Sequence, residues 1–316
     1  MAEAIESTDL DFANVEEARR VIDPAFQHSP QYVDDQLCRE LGRTVIVKDE
    51  TRNPLRSFKG RGASYLVSGM APESHLVCSS SGNFGQAIAY ACRSRGLRCT
   101  VFLPEDANPA AIERIRGFGA DARLVPTAAD RGPEARSFAE ATPHAVVVRD
   151  GQDPATAEGA ATIGLELAEA GPLDAVIVPV GDGALVSGIG FALKRRSPST
   201  RIIGVCPEAA PSVAESWRRG EPVRAEARTI ADGLATAEPH AESLARMQAL
   251  VDEMLLVSEA GLVDAIDLAA RTLGALLEPS GSAGIAALVE HDPPGERVAV
   301  ILTGSMARPG TEAERR

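Results

Sequence analysis

Residues 174–196 read DAVIVPVGDGALVSGIGFALKRR: a short apolar run, a turn punctuated by Gly181 and Gly183, then a helical pattern. A near-continuous apolar run of this length belongs to a strand buried on both faces. The same order recurs along the chain. Further apolar runs are TVIVKD (44–49), HLVCSS (75–80), CTVFLP (99–104), HAVVVRD (144–150), RIIGVCP (201–207) and RVAVILTG (297–304). Between them lie helical patterns such as GQAIAYACRSRG, ANPAAIERIRGFG and AEGAATIGLELAEAG. Strands alternating with helices predict an α/β protein with parallel, doubly wound sheets. The turn-rich stretches APES (71–74) and DGQDP (150–154) bracket a compact segment. They predict a small domain, 74–150, inserted in a large one made of 1–73 and 151–316.

With 316 residues, 44% of them hydrophobic, the chain can fill a sizeable core. No apolar run approaches a membrane span, and the acidic start MAEAIESTDLDFANVEEARR is unlike a signal peptide. A cytoplasmic protein with no membrane partner is expected. A net charge of -13 without a Lys/Arg stripe argues against a nucleic-acid partner. The five cysteines are odd in number and form no CxxC pair, so reduced, buried thiols are expected. None of the five histidines falls within metal-ligand spacing of another, and Glu208 is a lone carboxylate in its loop. No metal site is expected.

Glycine-rich turns follow several of the apolar runs. In CSSSGNFGQAIAY, Ser79 to Asn83 lead from strand to helix; open amides at a helix start, with serine hydroxyls nearby, suit a carboxylate. The same residues also suit an ordinary N-cap. In VGDGALVSG, Gly181 to Leu185 can bring backbone amides close to a phosphate. This turn matches neither a Walker A loop, which ends in GK[ST], nor the dinucleotide GxGxxG fingerprint. A third turn closes VAVILTGSMAR at Thr303-Gly304-Ser305, and Ser280-Gly281-Ser282 open a helix nearby in sequence. In open parallel sheets such turns gather at the carboxyl ends of strands, where ligands bind. Lys59, in RNPLRSFKGRGAS (52–64), adds an amine that can form a Schiff base with an aldehyde. A lysine, a phosphate cradle and a carboxylate seat together suit pyridoxal phosphate, although a lone lysine is more often a solvated surface group.

Taken in order, these motifs resemble those of the fold-type II pyridoxal-phosphate enzymes related to tryptophan synthase β, in the threonine/serine dehydratase and serine racemase branch. The resemblance spans roughly residues 15–308. It implies two domains, each an open, mostly parallel twisted sheet flanked by helices, with the cofactor in the cleft between them. SFKGRGA is similar to the family's lysine motif, implying that Lys59 anchors the cofactor covalently beside Phe58. SSSGNFGQ resembles the asparagine loop. It implies that Asn83 meets the ring hydroxyl and that Ser80, Ser81 and Gly82, with Asn83, hold the substrate carboxylate. VGDGALVSG is similar to the phosphate loop, implying contacts from Gly181, Asp182, Gly183, Ala184 and Leu185; it departs from a run of glycines at Asp182 and Ala184, and the Asp182 carboxylate should point away from a phosphate. LTGS implies that the Thr303 hydroxyl meets the pyridine nitrogen, while TIADGLA (229–235) and EPSGSAG (278–284) are further marks of the branch. Gly60 and Gly62 are expected to permit close packing and Arg61 to be structural.

The resemblance implies α,β-elimination on a β-hydroxy amino acid, with a 2-oxo acid and ammonia as products. Ser81 opens the alternative of a racemase, in which a serine opposite Lys59 returns a proton to the α-carbon. β-Replacement and a non-catalytic small-molecule binder are further alternatives. Phe84 stands where many relatives carry histidine, which bears on the choice of substrate. The chain ends soon after LTGSMARPG, so no regulatory domain is expected. A homodimer is implied by the resemblance alone.

Overall fold

The computed structural model describes residues 6–305, in which ten strands form two sheets. In chain order the strands are β1 (Gln31–Val33), β2 (Thr44–Asp49), β3 (His75–Ser79), β4 (Arg98–Pro104) and β5 (Asp121–Val125). They continue as β6 (Ala145–Val147), β7 (Ala175–Pro179), β8 (Arg201–Pro207), β9 (Glu253–Val257) and β10 (Arg297–Leu302). One sheet has the order β1-β2-β10-β7-β8-β9 and the other β5-β4-β3-β6. Every pairing is parallel except β1 with β2. The four-stranded sheet thus draws on residues 75–147 alone.

Each apolar run of the sequence forms a strand, and the differences at the sheet edges have physical causes. β1 (QYV), β5 (DARLV) and β9 (EMLLV) lie outside the expected strands. All three are sheet edges, with polar or half-exposed positions that break a continuous apolar run. β6 is shorter than HAVVVRD suggests, because the chain leaves the sheet before Arg149-Asp150 and turns through Gly151 (φ +70°). β10 places Val300 opposite both Val47 and Ile177, and all three are fully buried, as a central strand requires.

Close helix packing brings the site together. A Cβ on Gly62 would lie 2.7 Å from the Thr156 carbonyl oxygen, and one on Gly60 only 2.2 Å from the Phe26 ring. Both glycines therefore allow the helix Lys59–Ser68 to lie against its neighbours. Arg61, between them, is fully buried among Glu50, Thr162 and Glu166. The helix Pro154–Ala168 starts with Asp153 capping Ala155 N at 3.0 Å and proline at its first position. No helix among the described residues is long and apolar enough to cross a membrane.

Candidate active site

The site begins where Ser57 and Phe58 are fastened to the end of β10. Ser57 pairs with Gly304 in an antiparallel bridge, and Phe58 N donates to Thr303 O at 3.1 Å. Lys59 then opens the helix Lys59–Ser68, its ammonium 4.5 Å from the centre of the Phe58 ring and ion-paired with Asp150. Phe58, Lys59, Ala63, Phe84, Asp150 and Ala184 line a small cavity around that pair. Asp150 Oδ1 is buried without a hydrogen-bond partner.

On one side lies the turn Gly181 to Leu185. The helix Ala184–Arg196 starts here with Gly183 at φ +89° as its N-cap and no side chain capping its amides. A Cβ on Gly181 would meet Gly233 O at 2.5 Å, and one on Gly183 would meet Ser243 Oγ at 2.3 Å. Glycine is thus required by space at both positions and by conformation at the second. Asp182 is held at both ends: its carbonyl accepts from Ser243 Oγ, and its carboxylate accepts from Thr236 Oγ1 at 3.2 Å. The carboxyl has turned toward Thr236, yet it remains within electrostatic reach of the site. Lost hydration, then Asp150, push it above the usual carboxylate range, against the opposing pull of Lys59. Ser187 Oγ, in the first turn of the same helix, is buried without a partner. Uncapped amides, space kept free by glycine and an unused hydroxyl fit a phosphate group.

On the other side the helix Asn83–Arg95 starts at Asn83, again without a side-chain cap. Asn83 Nδ2 donates to Glu278 Oε1 at 2.9 Å, and Glu278 N donates to Gly304 O at 3.3 Å. Burial raises the Glu278 carboxyl to about 7; the Asn83 hydrogen bond opposes this, Asp232 adds to it and Lys59 opposes it. Gly82 N donates to Ser80 Oγ at 3.3 Å, and Ser81 Oγ accepts from Arg131 Nη1 at 3.2 Å. The Thr303 hydroxyl is buried and donates to Ser280 O at 3.3 Å, while Ser280 Oγ accepts from Gly233 N at 3.0 Å.

The three predicted turns and Lys59 therefore meet at one place. Ser81 is the exception in its contacts, since its hydroxyl faces Arg131. Sequence reasoning misses Asp150, Glu278, Arg131 and Ser243. DGQDP reads only as a boundary turn, although an aspartate just past a parallel strand is where ligands gather. Glu278 stands within EPSGSAG with no role that the motif assigns. Arg131 and Ser243 carry no local signal, because only tertiary contact brings them to the site.

Glu278 yields an expected result of its own. The folded protein keeps a proton on this carboxyl up to about pH 7, whereas an ordinary glutamate in the unfolded chain loses it at lower pH. Raising the pH from the usual glutamate range through 7 therefore destabilises the folded state. Glu278→Gln keeps the acceptor for Asn83 and removes the charge. It is expected to raise the Tm of the cofactor-free protein at pH 8, by about 2–4 °C for each kcal/mol relieved. The gain should shrink as the pH is lowered to 5; a gain equal at both pH values would contradict the assignment.

Comparison with known proteins bears on this geometry. A family model described as "Pyridoxal-phosphate dependent enzyme" matches residues 29–304. An L-threonine ammonia-lyase of Thermotoga maritima is 32% identical over 297 residues, covering 92% of this chain and 74% of that protein. A serine racemase of Rattus norvegicus is 29% identical over 310 residues, covering 93% and 92%. Among solved structures, a threonine deaminase from T.th. superposes with a TM-score of 0.89 at 33% identity, covering 94% of this chain and 99% of the other.

Proposed function

The chain belongs to the pyridoxal-phosphate dependent enzyme family, and on that premise we propose that it eliminates water from a β-hydroxy amino acid such as threonine or serine, releasing a 2-oxo acid and ammonia. The observation that carries this reading is the meeting of Lys59, Ala184 of the uncapped 181–185 turn and Phe84, the neighbour of Asn83, around one cavity. Pyridoxal phosphate, when bound, supplies the electron sink that lets the Cα–H bond break. The chain's own residues do the rest. Lys59 would hold the cofactor through its amine and, as a free amine, would take the α-proton as general base. Gly181, Asp182, Gly183, Ala184 and Leu185 hold the phosphate through backbone amides. Asn83 would orient the ring, and Ser80, Ser81, Gly82 and Asn83 would hold the substrate carboxylate. Phe58 and Phe84 exclude water beside Lys59. Thr303 would offer a hydroxyl, not a carboxylate, to the ring nitrogen. A hydroxyl does not keep that nitrogen protonated, which weakens the sink and suits prompt loss of a β-substituent. The division into 74–150 and 1–73 with 151–316, with the site in the cleft between them, and a cytoplasmic homodimer belong to the same reading.

Racemisation is the second reading. The observation favouring it is the Ser81 hydroxyl in the loop that leads into the helix Asn83–Arg95, a group that can return a proton to the α-carbon. Incubation of the loaded protein with L-serine, with assays of both pyruvate and D-serine, tests the choice. Pyruvate without D-serine supports the lyase. If both form, Ser81→Ala is expected to suppress D-serine by about 10²-fold or more while sparing pyruvate. Equal loss of both products would assign Ser81 to carboxylate binding instead.

A further inference from the structure

Elimination of a β-hydroxyl needs an acid as well as a base, because hydroxide is a poor leaving group and must depart as water. We propose that Asp150 is that acid, a role that rests on the elimination reading above. The α- and β-carbons are bonded neighbours, so the group that protonates the leaving oxygen has to lie beside the group that removes the α-proton. Three carboxylates from separate elements lie within electrostatic reach of Lys59, of which Asp150 after β6 is in contact with it, while Asp182 lies after β7 and Glu278 before the helix Pro279–His291. Two of them are engaged elsewhere, Asp182 with Thr236 Oγ1 and Glu278 with the Asn83 amide. Asp150 touches the Lys59 ammonium through Oδ2, and its Oδ1 is buried with no partner. One oxygen is therefore placed to take a proton from the base, and the other lacks a hydrogen-bonding group to meet.

The surroundings fix Asp150 rather than leaving it on a loose loop. Fully buried Arg246 donates to the carbonyls of Gly151 at 2.8 Å and Gln152 at 2.9 Å, and is itself held by Asp9 through two contacts of 2.6 Å. A Cβ at residue 151 would lie 2.1 Å from Asp182 O, so the 150–152 turn is wedged against the phosphate turn. The proton balance closes on these residues. Lys59 takes the α-proton and becomes an ammonium, while the Cα–H pair forms the new Cα–Cβ π bond. An N–H bond of Lys59 breaks as an O–H bond forms on Asp150. That O–H then breaks onto the substrate oxygen as the Cβ–O bond cleaves with its electron pair, and water leaves. Asp150 returns to carboxylate and Lys59 to amine, with no further reactant.

The test compares leaving groups in the cofactor-loaded protein. Asp150→Asn is expected to lower kcat for 2-oxo acid release from L-serine by about 10²-fold or more. With β-chloro-L-alanine, whose chloride departs without a proton, the fall should be far smaller. Asp150→Glu should recover part of the serine activity, and cofactor uptake by the apoprotein, followed by absorbance, should persist in both variants. An equal fall with both substrates, no fall with either, or loss of cofactor uptake in both variants would overturn the role. If the unaltered protein releases 2-oxo acid from neither substrate, the elimination reading itself fails, and the proposal with it.

Discussion

Lys59→Ala is expected to remove both the absorbance of covalently held cofactor and the release of 2-oxo acid, with kcat/KM falling by about 10⁴-fold or more. The chain contains only three lysines, which makes the test unusually clean. Lys48 is buried against Glu166 at 2.5 Å, and Lys194 is paired with Asp252 near the far end of the helix that the phosphate turn opens. Neither can replace an amine that is placed at the first position of the helix Lys59–Ser68 and clamped by Phe58 N to Thr303 O. Retention of the absorbance and of turnover in the variant would sink the assignment.

Arg61→Ala is expected to give the largest loss of stability, about 3–5 kcal/mol. Arg61 has no exposed surface and makes two contacts with each of two carboxylates, Glu50 at 2.8 and 3.0 Å and Glu166 at 2.6 and 2.9 Å. With Lys48 the cluster holds two positive and two negative charges. Removing the guanidinium leaves two buried carboxylates facing one ammonium. Burial would raise the Glu166 carboxyl, but Arg61 first and Lys48 second outweigh it and hold the group at about 2. The sign follows from that depression. The stability that Glu166 contributes is present above the ordinary glutamate range and is lost as the pH falls toward 2. Arg61→Ala should therefore lose more stability at pH 7 than at pH 3 in denaturant titrations. A loss below about 1 kcal/mol at pH 7, within the range of an exposed ion pair, would contradict the reading. Arg61→Lys is not expected to rescue the fold fully, because a single ammonium cannot serve two carboxylates in a forked geometry. Since Glu50 follows β2 and Glu166 belongs to the helix Pro154–Ala168, the cluster also roots the helix that carries Lys59.

Much of this architecture was legible because strands buried on both faces write themselves as uninterrupted apolar runs. Central strands β2, β3, β4, β7, β8 and β10 satisfy that condition and were readable. Edge strands β1, β5 and β9 do not, since one side meets solvent and polar residues are tolerated there, whereas β6, an edge as well, keeps the apolar triplet AVV and was readable. The candidate site followed the same division. Lys59, Asn83, Gly181 to Leu185 and Thr303 belong to short motifs whose residue types are dictated locally, by a helix start or by the space that only glycine leaves.

What the sequence determined by itself was therefore the alternation of strands and helices, the family-like order of the motifs and the single lysine at their centre. Tertiary structure alone decided which acids face that lysine. Asp150 reaches Lys59 across 91 residues, and Glu278 reaches Asn83 across 195. The physical reason is that a carboxylate's protonation and partners depend on hydration and charge at its position in space. Neighbours in sequence leave both undefined, whereas tertiary packing raises the Glu278 carboxyl to about 7 and leaves one oxygen of Asp150 without a partner.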